Sequence, residues 1–249
     1  MIDGASATAH LCHEASRYLA GAPIYPLGRD RDIRDTRALL DECAEWLLKR
    51  DPKTDGFAHP VPPEDSGLPV LRRFGGVLKP RASAGHAGSR ADTRVSGSGE
   101  GLLAAARALA PLAAWSPFYG ESEWSRSFLE GFAVGPVVGP KGSYHVPGLV
   151  VDLFLYSPGI SYPLHAHPAA EIYLPLVGSG EFVVGGRGRP SHVMPGTAVV
   201  HRSDEPHGVV VGDGPLLGLA FLRGDLEGPT WYREPMADES RPKQYPPVV

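Results

Sequence analysis

The segment from Gly159 to Gly178, Gly-Ile-Ser-Tyr-Pro-Leu-His-Ala-His-Pro-Ala-Ala-Glu-Ile-Tyr-Leu-Pro-Leu-Val-Gly, restricts this chain more than any other stretch. His165 and His167 stand two apart and Glu171 follows four further on, with Tyr162 and Tyr173 on either side. In an extended strand successive side chains point to opposite faces, so His165, His167, Glu171 and Tyr173 fall on one side. The other side reads Ala166, Ile172, Leu174 and Leu176, the pattern of a strand packed on apolar neighbours. A His-x-His pair alone is commonly two solvated imidazoles. A carboxylate in phase with it and a further histidine downstream point instead to a metal site. That histidine is His207, in Asp-Glu-Pro-His-Gly-Val-Val-Val, where Pro206 fixes the preceding backbone and a valine-rich strand follows. His201, six residues earlier, competes for the same position. Three imidazole nitrogens and one carboxylate oxygen suit one divalent transition metal ion, Fe2+, Zn2+, Mn2+, Ni2+ or Co2+, and leave coordination positions for substrate or water.

From Val134 onward short apolar segments alternate with glycine and proline turns: 148–156, 163–177, 181–185, 197–202, 208–211 and 216–222. The 31 glycines and 26 prolines of the chain fit this turn-rich pattern, which predicts an antiparallel barrel or sandwich. The first half differs. Helical spacing of Leu11, Ala15, Tyr18 and Leu19 predicts a helix over 5–20 carrying His10 and His13 on its surface. Thr36 opens a second helix over 37–50 with Leu39, Leu40, Cys43, Trp46 and Leu47 as its apolar stripe. The Pro-, Gly- and Ser-rich stretch 51–98 reads as a long surface loop. An Ala-rich helix follows over 100–114, suited to core packing or to contacts in a homodimer. Trp115, Phe118, Tyr119 and Trp124 form an aromatic cluster that reads as a plug between helices and barrel ahead of a direct substrate role. His145 and His192, in turn-rich surroundings, read as surface residues.

Gly159, five residues, His165-x-His167, three residues, Glu171, six residues and Gly178 resemble the first cupin motif without departure. The second motif is met more loosely. Gly196 and His207 stand at matching positions, while Arg202, Asp204 and Val211 replace the Pro, Gly and Asn that the family often carries. Within the cupins, Tyr162-Pro163-Leu164-His165-x-His167-Pro168-x-x-Glu171-Ile172-Tyr173-Leu174 resembles the bacterial dimethylsulfoniopropionate lyases and their lyase-like relatives, over residues 140–232. The resemblance implies a mainly β fold. Residues 131–235 form a cupin jelly-roll barrel, 1–130 a helical N-terminal region and 236–249 a tail. It also implies a carbon-sulfur lyase in which the metal binds the substrate carboxylate, a tyrosinate removes the adjacent proton, and elimination releases dimethyl sulfide and leaves acrylate. Free tyrosine, with a pKa near ~10, is a poor base, and a neighbouring cation lowers that value. Tyr173 is the expected base because it shares the metal-facing side. Tyr162 orients the substrate or shares the proton transfer. A sulfonium offers no hydrogen-bond donor, so aromatic faces recognise it. Trp231 and Tyr232 are the first candidates, then Tyr156 and Phe182.

A formal charge of -4 gives no basic footprint for nucleic acid, and no apolar run approaches the ~20 residues of a membrane helix. Cys12 and Cys43 make no disulfide framework, and the N-terminus shows no secretory pattern, so a cytoplasmic, reduced setting is expected. Cupin oxygenases and sugar-isomerase-type or other small-molecule-binding cupins use the same ligand types, and they are the competing functions.

Overall fold

A computed structural model describes residues 3–50, 63–79, 95, 97, 99–117, 119, 126–185, 189–232 and 244–245. Expectations for Phe118, for Trp124, for the remainder of 51–98 and for the tail, apart from a two-residue strand at Gln244–Tyr245, lie outside these residues. Helix α1 (Gly4–Leu19) starts at Asp3, whose carboxylate accepts hydrogen bonds from the Ala5 and Ser6 amides at 3.2 and 3.3 Å. It buries Leu11, Cys12, Ala15 and Leu19, while His10 and His13 stay exposed. Helix α2 (Asp30–Leu48) starts well before the expected position, because Asp30 and Asp32 place negative charge in its first turn. Thr36 is therefore buried inside the helix rather than at its opening. Leu40, Cys43 and Leu47 face the core. Trp46 does not: it is 39% exposed, beneath the Arg50 guanidinium at 4.6 Å. The thiols of Cys12 and Cys43 are free and lie 3.9 Å apart across the α1–α2 contact.

Part of the expected loop is packed structure. Pro69 begins helix α3 (Pro69–Phe74), where its missing N–H costs nothing, and Val70, Leu71 and Leu78 are buried. Helix α4 (Gly99–Leu109) buries Leu102, Leu103 and Leu109 and packs on α1, so this face is used within the chain. A short helix α5 (Arg126–Glu130) leads into the sheets. Trp115 seals helix to sheet as expected, its indole N–H donating to the Ala110 carbonyl at 2.8 Å.

Two six-stranded sheets follow. The first contains β1 (Ile24–Tyr25), β2 (Phe132–Val138), β3 (Leu149–Tyr156), β5 (Ala169–Val177), β8 (Ala198–His201) and β10 (Leu216–Gly224), in the order β1-β8-β5-β10-β3-β2. The second contains β4 (Ser161–Ala166), β6 (Gly180–Val184), β7 (Ser191–Val193), β9 (His207–Val211), β11 (Thr230–Tyr232) and β12 (Gln244–Tyr245), in the order β12-β11-β4-β9-β6-β7. Alternation along each strand of the first sheet sorts side chains into two cores. Leu153, Leu155, Ile172, Leu174, Leu219 and Phe221 join the helices in one. Phe154, Tyr156, Tyr173, Ala220 and Leu222 join Phe182, Val209 and Tyr232 between the sheets in the other. Strands covered on both faces are apolar throughout, which makes the single acidic residue of β3 conspicuous. Arg223 at the end of β10 donates to Asp32 of α2 at 2.6 Å and ties the helical layer to the sheet.

The turn from β5 to β6 depends on Gly178. Its φ is 78°, and a Cβ added there would meet the Pro215 carbonyl oxygen at 2.2 Å. Gly178→Ala is expected to cost about 3 kcal/mol, read as a lowered denaturation midpoint, since backbone strain and a backbone clash coincide. An unchanged midpoint would show that the turn relaxes freely.

Candidate metal centre and its cavity

The expected single strand over 163–177 is two strands in different sheets, and this break creates the site. Chain direction changes at His167-Pro168, between β4 and β5. His165 on β4 pairs with His207 on β9, and Glu171 on β5 pairs with His201 on β8. One sheet thus presents two imidazoles, the other a carboxylate and an imidazole, and His167 enters from the corner. The ring centroids of His165 and His207 are 4.2 Å apart, and those of His167 and His207 are 5.0 Å apart. Donor atoms of His165, His167 and His207 form one group within 4.8 Å of one another, and those of Glu171, His201 and His207 form a second. His207 belongs to both groups. His201, the competing residue, joins only the second, stacked on the His207 ring at 4.0 Å.

Backbone carbonyls fix how the first three imidazoles are used. Nδ1 of His165 faces the Pro163 carbonyl at 2.9 Å, Nδ1 of His167 that of Ala169 at 3.0 Å, and Nδ1 of His207 that of Glu205 at 2.8 Å. A carbonyl only accepts, so each Nδ1 carries the proton and donates it. In the neutral ring Nε2 is then left with its lone pair, which is how second-shell contacts prepare a ligating histidine. Nε2 of His167 and His207 lie 3.3 and 3.1 Å from the same Glu171 oxygen. The Nε2 of His207 has no hydrogen-bond partner, and neither nitrogen of His201 has one. Lone pairs and a carboxylate crowded together in a buried space fit a bound cation of the kind the donor set suits.

Electrostatics point the same way. Burial alone would raise the Glu171 carboxyl, yet the imidazoles of His167, His201 and His207 gathered around it hold it well below the usual carboxylate range. Burial pushes His165 well below the ordinary imidazole value, helped by the neighbouring His207 and His167. Burial and His207 lower His201 to about 3. Neutral His165 and His201 rings near an ionised carboxylate are a ligating state.

The centre opens on a cavity of about 40 Å³ between the sheets, lined by His167, Glu171, Tyr156, Tyr162 and Tyr173 together with Phe132, Phe154, Tyr119 and Asp152. Tyr173 stands over the second group of donors, 5.4 Å from the His201 ring, and burial followed by the Glu171 charge raises its phenol well above 10. The Tyr162 ring packs on His165 at 4.4 Å, and its hydroxyl is hydrogen-bonded to that of Tyr119, to which Tyr232 donates at 2.9 Å. Tyr156 is hydrogen-bonded to Tyr173. Phe182 is buried 6.3 Å from Tyr173. Trp231 is not brought in: strand alternation turns it outward, 42% exposed, while its neighbour Tyr232 faces His165. Sequence reasoning missed Asp152, and it ranked the cavity position that Tyr119 takes behind a sealing role. A lone acid inside Leu-Val-Val-Asp-Leu-Phe-Leu-Tyr was the available signal for the first. For Tyr119 only the pattern of aromatics was visible. His145 and His192 are on the surface as expected, His192 beside Glu181 at 2.9 Å. No helix among the described residues is long and apolar enough to cross a membrane.

Residues 89–218, more than half of the chain, match the family model described as dimethylsulfoniopropionate lyase. The dimethylsulfoniopropionate lyase DddQ of Ruegeria pomeroyi is 35% identical over 116 residues. That match spans 47% of this chain and only 57% of the relative's length. Among solved structures, the DddQ lyase of Ruegeria pomeroyi superposes with a TM-score of 0.55 at 25% identity, covering 82% of this chain and 99% of that one. A chain from the crystal structures of the lyases RdDddP and RnDddQII gives a TM-score of 0.59 at 23% identity, covering 89% of this chain and 94% of its own. These likenesses, with the two sheets and N-terminal helices, bear out the expected cupin fold.

The buried groups set a pH optimum for the metal-free protein. His165 and His201 have depressed values, so the unfolded chain gains protons below its ordinary 6.5 that the folded chain does not, and stability falls as pH drops. Asp152 is raised from 3.8 to about 8, so the folded chain keeps a proton that the unfolded chain has lost, and stability falls as pH rises towards 8. Denaturation of chelator-treated protein should therefore show greatest stability near pH 6.5. Asp152→Asn should remove the decline of about 1.4 kcal/mol per pH unit on the alkaline side. A flat profile from pH 5 to 8 contradicts this assignment.

Proposed function

The chain belongs to the dimethylsulfoniopropionate lyase family, and from that footing we propose that it is a metal-dependent carbon-sulfur lyase cleaving dimethylsulfoniopropionate to dimethyl sulfide and acrylate. The observation that carries the reading is the meeting, in one buried cavity, of a ligating donor set and a phenol. In this reading His165, His167, Glu171 and His207 hold one divalent ion of iron, zinc, manganese, nickel or cobalt. His201 stands beside them. The bound ion would supply positive charge that draws in the substrate carboxylate and lowers the pKa of an adjoining phenol.

The chain's own residues do the rest. Tyr173, ionised, takes the proton on the carbon next to the substrate carboxylate. The electron pair of that C–H bond becomes the C=C bond of acrylate, and the C–S bond breaks with its pair leaving on neutral dimethyl sulfide. Tyr173 is favoured over Tyr162 because it shares the inward face of β5 with Glu171 and stands over the His201 ring, where a bound ion would offset the Glu171 charge that raises its phenol. Tyr162 is bound into the phenol chain with Tyr119 and Tyr232, which suits holding the substrate in orientation. Phe132, Phe154 and Tyr156 offer ring faces to the dimethylsulfonium group and exclude water. Phe182 and Tyr232 support these rings from the core, and Trp231 is dropped from the substrate set because it faces outward. Free buried thiols fit a cytoplasmic, reducing setting.

Headspace dimethyl sulfide from the metal-loaded protein tests the reading, run with and without oxygen, since elimination consumes none. Tyr173→Phe is expected to lower kcat by about 100-fold or more with metal content unchanged. Tyr162→Phe should act more weakly and mainly on KM. A Tyr173→Phe variant within a few-fold of the parent removes Tyr173 from the base position, and oxygen-dependent turnover favours an oxygenase.

A further inference from the structure

Asp152 is the only charged residue of β3, in an inward-facing position between the sheets where its neighbours two away are Val150 and Phe154. It is 7% exposed, and its Oδ1 has no hydrogen-bond partner. The side chain lines the same cavity as Glu171, Tyr156 and Tyr173, and among the described residues no lysine or arginine lines that cavity. A buried carboxyl with an unsatisfied oxygen is costly, and such groups are retained where a ligand completes them. Cross-strand register places Asp152 beside Ala220, and Ala220 beside Tyr173. With strands about 4.8 Å apart, Asp152 and Tyr173 are separated by about 10 Å at Cα. Only the methyl group of Ala220 stands between them, so the space over Ala220 is open to a ligand. The cavity therefore has His167 and Glu171 at one end and, two strands across the same sheet face, an isolated acid among Phe132, Phe154 and Tyr156.

This arrangement suits a ligand with two charged ends. We propose that Asp152 is the counter-ion for the cationic end of the substrate, selecting carboxylates that carry an onium group over uncharged carboxylates of the same shape. The assignment rests on reading this cavity as the substrate site. A sulfonium has no N–H or O–H to offer, so ring faces alone would also admit an isosteric hydrocarbon; a carboxylate in the ring box separates the two by charge. Without ligand the acid is held largely neutral, since burial and then the Glu171 charge raise it, with Lys141 acting in the opposite sense. Ionisation of Asp152 then accompanies the arrival of the cation, which limits the cost of keeping an unpaired charge in an empty site. Asp152 touches the substrate in this account but takes no part in bond breaking, so it governs specificity and leaves the proton transfer to Tyr173.

The test compares dimethylsulfoniopropionate with 4-methylpentanoate, its uncharged isostere in which CH replaces the sulfonium sulfur. Both are titrated calorimetrically into the metal-loaded full chain and into Asp152→Asn, with Asp152→Glu as a second variant in case the amide does not fold. Asp152→Asn is expected to weaken the zwitterion by about thirtyfold and leave the isostere within about threefold of the parent. KM for cleavage should rise in step, with kcat affected less. Equal weakening of both ligands assigns Asp152 to packing and overturns the proposal, as does no weakening of either. If the zwitterion-specific loss is seen while no variant releases dimethyl sulfide, the lyase reading fails and the counter-ion assignment stands. If cleavage proceeds with the same KM in Asp152→Asn, the reverse holds.

Discussion

Three hydrogen bonds from imidazole N–H groups to backbone carbonyls, those of Pro163, Ala169 and Glu205, are the constraint on which the site depends. Each carbonyl is within two residues of its histidine, so local backbone geometry sets the tautomer before any ligand arrives. With Nδ1 occupied, Nε2 of His165, His167 and His207 is left to face the interior. Glu171 meets two of them with one oxygen. Without a cation this would be a cluster of unsatisfied acceptors under two sheets, and the cost of burying it would fall on the fold.

The surrounding structure makes that concentration of polar groups tolerable. Leu11, Leu40 and Leu102 of helices α1, α2 and α4 share one apolar core with Leu153, Leu174 and Leu219 of the first sheet, so this sheet is anchored by a core separate from the one around the site. The inner face is released from that task and carries aromatic rings with hydroxyls, which combine a large apolar body with a polar tip. The ladder of Phe128, Phe132 and Tyr156, stacked at 4.8 and 4.5 Å, leads from the short helix α5 to the cavity. In the proposed function the same rings would give a dimethylsulfonium group its apolar contacts.

Much of this was legible in the chain. Glu171 and Tyr173 against Ile172, Leu174 and Leu176 is a period-two pattern, and the structure divides these residues between the inner cavity and the helix-facing core as that period requires. The failures have physical causes. His165 and His167 share a side in the linear reading, but the turn at Pro168 puts them on different backbone segments, and long-range pairing of β4 with β9 brings His207 to His165. Local spacing could not separate His201 from His207, because the distinction arises from which strand each pairs with. Trp231 was misplaced for a related reason, since in a three-residue strand one step of register decides which of two aromatics faces inward. The start of α2 was set too late because the charged run Asp30-Arg31-Asp32 hides its periodicity, although those acids favour a helix N-terminus. Asp152 showed in the chain only as a lone acid in an apolar strand, and the cavity gave it neighbours.

Whether these donors hold one ion per chain is decided by calorimetric titration of chelator-treated protein with Zn2+. A single saturable equivalent is expected, with a matching rise in thermal stability and loss of both when His165 and His207 are replaced by glutamine. No saturable binding, or binding that survives that double replacement, would contradict this expectation.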